Sequence, residues 1–448
     1  MGWHGHPRYT YDLLLSIEKL IYGGEGLART PSTLDGRGRA VFVPFVLPGE
    51  IIEAEIRQEK PGFARGSVSQ LIEASPDRVE ARCPYFRQCG GCHYQHIPYD
   101  RQIEFKAEIL RETLRRIAKI ELQSDLRLHP SPPWNYRNRT RLQIKTTPEF
   151  ALGYFRFASH EFLAVRECPI SSPLINRVMA QLLELRGLHC PAAVEEIELF
   201  ADAEDEHLLA WAYCSTDADP RDLSRWADAI ARELSEVSGV TLFASRRKSS
   251  RGDDDTPRDA KPLMQSGARS IRYRAANHDY QVSAGSFFQV NRHLIDELVS
   301  VVTGNASGDI ALDLYCGGGL FSVALAKAFR HIFSVEPSHT SYGDLRHNVP
   351  ANVKAIGART EDYLRSWRAP TGPDMIVLDP PRTGTGKLVT GSLAKIGASS
   401  VRYISCDPST LARDIAPLLA VGYHIEEAHL FDLFPETFHI ESVMLLAR

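Results

Sequence analysis

Cys406 stands at the end of the apolar run VRYIS, and the polar run DPST follows it at once. The apolar run predicts a short buried strand, and the polar run predicts a turn that opens a helix. A helix N-terminus lowers the pKa of a nearby thiol, so we expect the nucleophilic thiolate of Cys406 to be favoured. The alternative is a packing cysteine, since unpaired cysteines are often buried.

Two carboxylates occupy comparable positions. Asp379 ends the apolar run MIVL and precedes two prolines in VLDPPRTG. Glu441 lies inside the apolar segment FHIESVMLL, where a carboxylate is costly unless it has a partner or a task. A glutamate that points to water from an edge strand is the alternative interpretation of Glu441.

A thiol and two carboxylates suit methylation at C5 of uracil, a carbon that is too weakly nucleophilic to attack a sulfonium methyl group unaided. Addition of the Cys406 thiolate at C6 would make C5 enolate-like. Asp379 would hold the uracil edge, and Glu441 would then remove the C5 proton so that the thiol can leave. Enzymes that methylate amino groups often carry an aromatic residue after such prolines, whereas this chain has Arg382.

The segment ALDLYCGGGLFSVALA predicts a strand, a glycine loop and a helix, with Asp313 before Gly317 and Gly319. Glycines in such a loop let the backbone approach a ligand closely. A dinucleotide fingerprint would place another glycine where Ser322 stands. The spacing instead resembles the loop of S-adenosylmethionine (SAM)-dependent methyltransferases.

Two acids further along the chain would complete a nucleotide site. Glu336 ends the next predicted strand, where an acid accepts hydrogen bonds from the two hydroxyls of a ribose. Asp362 would lie near the adenine by the same topology, although a surface acid is the alternative.

The elements that must position these residues divide the chain. From about residue 287, apolar strands alternate with helices, which predicts a doubly wound α/β domain with ligands beyond the C-terminal ends of its strands. Residues 13–75 alternate apolar and polar positions between glycine-rich turns, which predicts a small antiparallel β-barrel. Residues 99–120 predict a helix, and the very polar residues 246–262 predict a surface loop.

The composition of the 448 residues, 43% hydrophobic and 24% charged, is that of a globular protein with two or three domains. The net charge of -4 confines any RNA-binding surface to local basic stretches such as residues 137–145 and 246–251. Neither a long apolar run nor a signal-peptide pattern is present, so we expect a cytoplasmic protein. Its eight cysteines are then not expected to form disulfides.

Three of those cysteines are closely spaced. Cys83, Cys89 and Cys92 form a C-x5-C-x2-C pattern in CPYFRQCGGCHYQH, and Cys168 is a fourth candidate ligand. Four thiolates hold either zinc or an iron–sulfur cluster, and spacing alone leaves both open. Scattered packing cysteines are the remaining interpretation.

The motifs DLYCGGG, DPPRTG, SCDPSTLARD, HIES and SFFQVN together resemble those of the RNA uracil-C5 methyltransferases. The chain is most similar to the bacterial 23S rRNA branch that carries an N-terminal TRAM barrel. This resemblance implies an α/β fold: a C-terminal Rossmann-like SAM-dependent domain, an OB-like TRAM barrel, and a mixed α+β central domain that carries an iron–sulfur cluster. The implied domains are residues 11–75 for TRAM, 76–98 with 125–283 for the central domain, and 99–124 with 284–448 for the catalytic domain.

The resemblance also implies roles for individual residues. Cys406 matches the family's nucleophile, Glu441 its base, and Asp379 the aspartate that completes the site. The implied SAM contacts are Gln289, Tyr315 and Glu336. The implied ligands of a [4Fe-4S] cluster, favoured over zinc, are Cys83, Cys89, Cys92 and Cys168. The chain departs from the pattern in having SCDP where SCNP is common and GGGL in the glycine loop, and neither change removes a reacting group.

The resemblance favours 23S rRNA as the substrate and a monomeric enzyme. The T-loop of tRNA is the second candidate substrate, and a non-catalytic RNA-binding factor is the third interpretation. The radical-SAM methylthiotransferases are excluded because the chain lacks their C-x3-C-x2-C triplet. The DNA cytosine-C5 methyltransferases are excluded because their cysteine follows a proline, whereas Cys406 follows Ser405.

Overall fold

The computed structural model describes residues 11–30, 38–122, 125–245, 262–304, 306–368 and 372–448. The predicted loop at residues 246–262 and the basic stretch 246–251 therefore lie outside the described residues, apart from Pro262. The chain forms two compact units, Met1–Leu110 with Phe434–His439, and Arg111–Leu433 with Ile440–Arg448. Within the described segments, no helix is both long enough and apolar enough to cross a bilayer.

The first unit contains a closed five-stranded barrel. Its strands are β1 (Asp12–Leu20), β2 (Glu25–Arg29), β3 (Ala40–Pro44), β4 (Ile51–Lys60) and β5 (Phe63–Glu73), in the order β1-β2-β3-β5-β4. Alternate residues such as Leu15, Ile17, Val41 and Val43 fill the interior, as the period-two pattern predicts. The barrel is confirmed, although β3 and β5 pair in parallel rather than antiparallel.

Helix α1 (Tyr99–Thr113) continues as one π-helical turn (Leu114–Ala118) and ends at Lys119 in the left-handed conformation. Its predicted apolar stripe is buried at Ile103, Ala107, Leu110 and Leu114, but Ile117 is exposed. Strand β6 (Leu126–His129) follows it.

A seven-stranded sheet occupies the centre of the sequence. Its order is β13-β12-β11-β10-β7-β8-β9. The elements here are β7 (Arg139–Lys145), β8 (Ala151–Phe155), β9 (Phe162–Ala164), α2 (Pro173–Glu184), a 3₁₀ turn (Arg186–Leu188), β10 (Val194–Ala201), β11 (Leu208–Cys214), α3 (Pro220–Glu233), β12 (Val237–Ala244) and β13 (Pro262–Gly267). A two-stranded sheet of β14 (Ser270–Ala275) and β15 (His278–Ser283) follows, and then α4 (Ile295–Thr303).

The eight-stranded sheet of the second unit has the order β18-β17-β16-β19-β20-β22-β21-β6. The elements that follow α4 are β16 (Gly308–Leu314), α5 (Leu320–Leu325), β17 (Phe329–Val335), α6 (His339–Asn348), β18 (Val353–Ile356), α7 (Thr360–Ser366), β19 (Met375–Leu378), α8 (Gly386–Ile396), β20 (Ser400–Ser405), α9 (Pro408–Ala420), β21 (His424–Phe431) and β22 (Glu441–Ala447).

This sheet has the doubly wound pattern that the sequence predicts. Strands β16 to β20 are parallel, and β22 runs antiparallel between β20 and β21. The chain order reverses between β16 and β19, and a ligand site is expected beyond the strand ends at such a point. Strand β6, which was predicted to belong to the central domain, pairs with β21 at the edge of this sheet.

Candidate active site

Cys406 directly follows the last residue of β20 and precedes α9. Asp407 caps that helix, because its Oδ1 accepts hydrogen bonds from the backbone N–H groups of Ser409 at 2.8 Å and Thr410 at 2.9 Å. A capping aspartate and a proline at the first helical position are a standard start for a helix. The thiol is therefore held between a buried strand and a rigid helix start.

Glu441 comes beside Cys406 through the pairing of β20 with β22. Ser405 is the cross-strand partner of Ser442 in this antiparallel pair, so the next positions along the two strands are Cys406 and Glu441. The side chain of Glu441 is buried, at 6% relative exposure. Residues 35 apart in the chain thus become neighbours through strand register.

Asp379 enters the same site from the neighbouring strand. It directly follows β19, which is parallel to β20. Its Oδ2 accepts a hydrogen bond of 3.2 Å from the Nε2 of Gln289. The SFFQVN and DPPRTG motifs therefore meet at one carboxylate.

The electrostatics of Cys406 differ from the sequence prediction. Burial raises the pKa of the Cys406 thiol, the charges of Glu441 and Asp379 raise it further, and Arg382 opposes them. Asp407, which caps the N-terminus of α9, carries a negative charge that raises the pKa of the Cys406 thiol further. The predicted lowering of the thiol pKa is wrong for this site, where the thiol is protonated and needs a base at the moment of attack.

Both carboxylates favour their protonated forms. Burial raises the pKa of Asp379 to about 7, against a lowering contribution from the Gln289 hydrogen bond. Burial, and then the charge of Asp379, raise the pKa of Glu441 well above its ordinary value, and Arg382 opposes this. Acids with such raised pKa values are suited to proton transfer near neutral pH.

Arg382 is the residue of this site that sequence reasoning missed. We interpreted it only as the absence of an aromatic residue after the prolines, but it is the cation that acts on both Cys406 and Glu441. Its place three residues after a site aspartate at a strand end was the available signal.

The glycine loop and Glu336 form one structure. Oε2 of Glu336 accepts a hydrogen bond of 2.9 Å from the backbone N–H of Gly317, and Oε1 accepts one of 2.8 Å from that of Ser338. Gly319 has a φ of +90°, and a Cβ there would lie 2.8 Å from Leu345. The left-handed backbone and the close packing against Leu345 at this strand end therefore require glycine.

Asp313 lies below this loop with no exposed surface. Its Oδ2 accepts a 2.5 Å hydrogen bond from the hydroxyl of Ser322, which stands where a dinucleotide-binding chain would have glycine. Burial raises the pKa of Asp313 to about 7. Oδ1 of Asp313 is buried and has no hydrogen-bond partner, so this acid has capacity to bind a ligand.

Two further predicted cofactor contacts have different settings. Tyr315 adopts a left-handed backbone with a φ of +62° two residues before Gly317. Asp362 is exposed and forms a 3.0 Å ion pair with Arg365 along α7, so the structure favours the surface-acid interpretation. The acid of α7 whose charge acts on Tyr315 is Glu361.

The predicted cluster ligands lie in described segments, and none of the eight cysteines forms a disulfide. Cys83 to Cys92 form a segment of tight turns, in which the backbone N–H of Gly91 donates to the Sγ of Cys89 at 3.4 Å. Cys168 is tied through its backbone to the side chain of Asn176. Among described residues, no group of three or more His, Cys, Asp or Glu is arranged to hold a metal ion, so the cluster stays a prediction.

Comparison with known proteins gives independent evidence on the family of this chain. Residues 98–363 and 370–448 match the family model of tRNA (uracil-5-)-methyltransferase, and residues 11–69 match that of the TRAM domain. An uncharacterized RNA methyltransferase of Aquifex aeolicus is 31% identical, with 97% of this chain and 98% of the relative covered.

Two relatives have a stated substrate. The 23S rRNA (uracil(1939)-C(5))-methyltransferase RlmD of Halomonas elongata is 32% identical, with 96% of this chain and 89% of the relative covered. The crystal structure of the tRNA (uracil-54, C5)-methyltransferase of Pyrococcus abyssi in complex with S-adenosyl-L-homocysteine superposes with a TM-score of 0.72 and 25% identity. That comparison covers 97% of this chain and 99% of the other.

Proposed function

The chain belongs to the SAM-dependent RNA uracil-C5 methyltransferases, and from this premise we propose that it converts a uridine of 23S rRNA to 5-methyluridine. The observation that carries the proposal is the convergence of Cys406, Asp379 and Glu441 at one end of the adjacent strands β20, β19 and β22, with Arg382 in the loop that follows Asp379. This set supplies a nucleophile, two acids and a cation in one buried place.

In the first step, the Cys406 thiol gives its proton to solvent and its sulfur bonds to C6 of uracil. The electron pair of the C5–C6 double bond moves toward O4, so that C5 becomes enolate-like. Asp379 would contact the uracil edge where this charge develops, since its pKa of about 7 lets it donate a proton as well as accept one. Arg382 would stabilise the thiolate that attacks.

SAM supplies the methyl group that C5 attacks and leaves as S-adenosylhomocysteine. Gln289, Asp313, Tyr315, Gly317, Gly319 and Glu336 would hold it. The unpartnered buried oxygen of Asp313 fits such a ligand. Asp362, which is exposed, is no longer included in this set.

In the last step, Glu441 in its ionised form, which the charge of Arg382 favours, accepts the proton from C5, and the electrons of that C–H bond restore the C5–C6 double bond. The C6–S bond breaks and the thiolate of Cys406 is released. Because C5 and C6 lie inside a stacked nucleotide, the target uridine must come from a loop or be flipped out.

The choice of 23S rRNA rests on similarity to the Halomonas enzyme together with the TRAM barrel. Transfer RNA is the second candidate, favoured by the superposition on the Pyrococcus enzyme. The deciding experiment incubates the protein with radiolabelled SAM and unmodified total RNA, which is then fractionated into 23S, 16S and tRNA. Cys406→Ala is run in parallel.

Labelled 5-methyluridine in 23S rRNA, absent with Cys406→Ala, is the expected result. Label in tRNA would keep the chemistry and overturn the substrate. If no fraction were labelled by wild-type protein while RNA binding persisted, a non-catalytic RNA-binding role would replace the proposal.

We also propose that Cys83, Cys89, Cys92 and Cys168 hold a [4Fe-4S] cluster. Support comes from four cysteines in a chain without disulfides and from the N–H group that donates to the Cys89 sulfur, a contact that stabilises a thiolate. Four ligated irons would leave no open coordination position, so the role would be structural.

The test purifies the protein without oxygen and measures iron, acid-labile sulfide and zinc per chain. Cys89→Ser should lose iron, while the buried Cys214→Ser serves as a control outside the predicted ligand set. One zinc per chain in place of iron would replace the cluster by a zinc site, and a metal-free wild-type protein would end both ideas.

A further inference from the structure

Arg139, the first residue of β7, connects the central sheet to the segment that carries Gln289. Its Nε donates to Oε1 of Glu198 at 2.5 Å, and its Nη1 donates to the backbone carbonyl of Ser286 at 2.8 Å. The guanidinium also lies over the ring of Trp211, with 4.8 Å to the ring centroid. The planar fork of arginine thus bonds a carboxylate and a carbonyl at the same time.

Glu198 is a fixed anchor for this contact. It is buried at 5% exposure, and its second oxygen accepts hydrogen bonds from Nε of Arg141 at 3.0 Å and from Nε1 of Trp211 at 3.0 Å. Burial alone would raise the pKa of Glu198, but Arg139 and Arg141 hold that pKa below its ordinary value. The carboxylate is therefore charged, and both of its oxygens are bound.

The Ser286 carbonyl lies three residues before Gln289, the residue that donates to Asp379. The same segment is held at its other end by Asn138, whose Nδ2 donates to the carbonyl of Gln289 at 3.1 Å. The hydroxyl of Ser286 also contacts that of Ser341 in α6 at 3.2 Å. Without Arg139, the segment would keep Asn138 and Ser341 but lose the charge-assisted hydrogen bond that the guanidinium donates to the Ser286 carbonyl.

We propose that Arg139 is a positioning residue for methyl transfer, which sets the place of Gln289 against Asp379 by fixing the Ser286 carbonyl to the buried Glu198. The inference rests on the proposed function. Arg139 itself acts through the backbone of residues 286–289, and its basic character serves this internal contact rather than the RNA contact that the stretch 137–145 suggested.

Arg141 offers a matched control. It binds the same carboxylate of Glu198 from the same strand, and its other contacts are with Tyr213 and Glu196. Arg139→Met and Arg141→Met each remove one arginine from Glu198, so both weaken the buried ion pair, although Oε2 of Glu198 keeps its hydrogen bond from Trp211 in Arg141→Met. They differ in that Arg139→Met also releases the Ser286 carbonyl.

The experiment measures kcat, the KM for SAM and the KM for RNA in the full chain. The variants are Arg139→Met, Arg139→Lys, Arg141→Met and Gln289→Met, with the double variant Arg139→Met/Gln289→Met. A catalytic group displaced by about 1 Å loses about 100-fold in rate, so we expect Arg139→Met to lower kcat/KM for SAM by about 10- to 100-fold. The KM for RNA should stay within about threefold, and Arg141→Met should stay within about threefold in every constant.

The double variant separates positioning from general stability. If Arg139 acts through Gln289, the double variant should be no slower than Gln289→Met alone, because the group to be positioned is already gone. Arg139→Lys keeps the charge beside Glu198 but lacks the fork, so it should fold even if Arg139→Met does not and should still be slow.

Equal losses for Arg139→Met and Arg141→Met, or full additivity with Gln289→Met, would overturn the inference. So would a fully active Arg139→Lys. Failure of the proposed function would look different, because the wild-type protein would then methylate no RNA.

Discussion

Replacing Arg382 by methionine tests the electrostatic account of the nucleophile. Burial, Glu441 and Asp379 all raise the pKa of the Cys406 thiol, and Arg382 is the cation that opposes them. Methionine has a similar length and no charge, so Arg382→Met should raise that pKa further. Arg382→Lys keeps the charge and is the control.

A charge next to a half-buried group changes its pKa by about one to three units. Each unit lowers the thiolate fraction tenfold at a pH below the pKa, but it also makes the remaining thiolate more nucleophilic. With a Brønsted coefficient of about 0.4 to 0.5, the net loss of reactivity toward a disulfide is about three- to fourfold per unit. Arg382→Met should therefore slow the reaction of Cys406 by about 3-fold to about 60-fold.

The assay follows reaction of the protein with a small aromatic disulfide between pH 7 and 9, and mass spectrometry reads modification of the Cys406 peptide separately from the other cysteines. The buried Cys214 stays unmodified while the protein is folded, so its modification would reveal unfolding in any variant. Methylation of RNA by the same variants should fall in the same order.

An unchanged rate at Cys406 in Arg382→Met would refute the reasoning, because the site cation would then have no influence on the thiol. An equal loss in Arg382→Lys would also refute it, since the loss would then come from shape rather than charge.

Three further predictions follow from the site. Glu441→Gln should still allow addition and methyl transfer but block removal of the C5 proton, so that a denaturation-resistant Cys406–RNA adduct accumulates on gels; Cys406→Ala in the same background should abolish it. Asp407→Ala removes the cap of α9 and should lower the free energy of unfolding by about 0.5 to 2 kcal/mol, as measured with urea, while Asp222→Ala, an exposed acid of α3, should change it little. Asp313 has a folded-state pKa of about 7, above its unfolded value, so the stability it contributes is present below about pH 4 and lost as the pH rises through 7. As the pH rises from 5 to 7.5, the free energy of unfolding of Asp313→Asn should therefore increase relative to that of the wild type, by at most about 4 kcal/mol. A constant difference between the urea midpoints of the two proteins across that range would contradict the raised pKa of Asp313.

Local patterns were sufficient to predict the barrel and the doubly wound sheet. The period-two burial of β1, β3 and β4 and the alternation of apolar strands with helices from β16 onward are both local patterns, because each can be recognised within short stretches of sequence. Strand β6 was assigned to the central domain, since its short sequence carries no information about the sheet edge that it joins.

The candidate site residues could also be selected from the sequence, because Cys406, Asp379 and Glu441 each stand next to or inside an apolar run and in a recognisable motif, and their chemical roles stay predictions. Their charge states could not be predicted in this way. The pKa of the Cys406 thiol depends on Glu441, Asp379 and Arg382, which come from other strands and loops. The positioning role proposed for Arg139 could not be predicted from the sequence either, because its partners Glu198 and Ser286 lie far away in the chain. Residue types and spacing determine which groups are available, but burial and cross-strand neighbours determine which of them are charged, and only the tertiary structure supplies those.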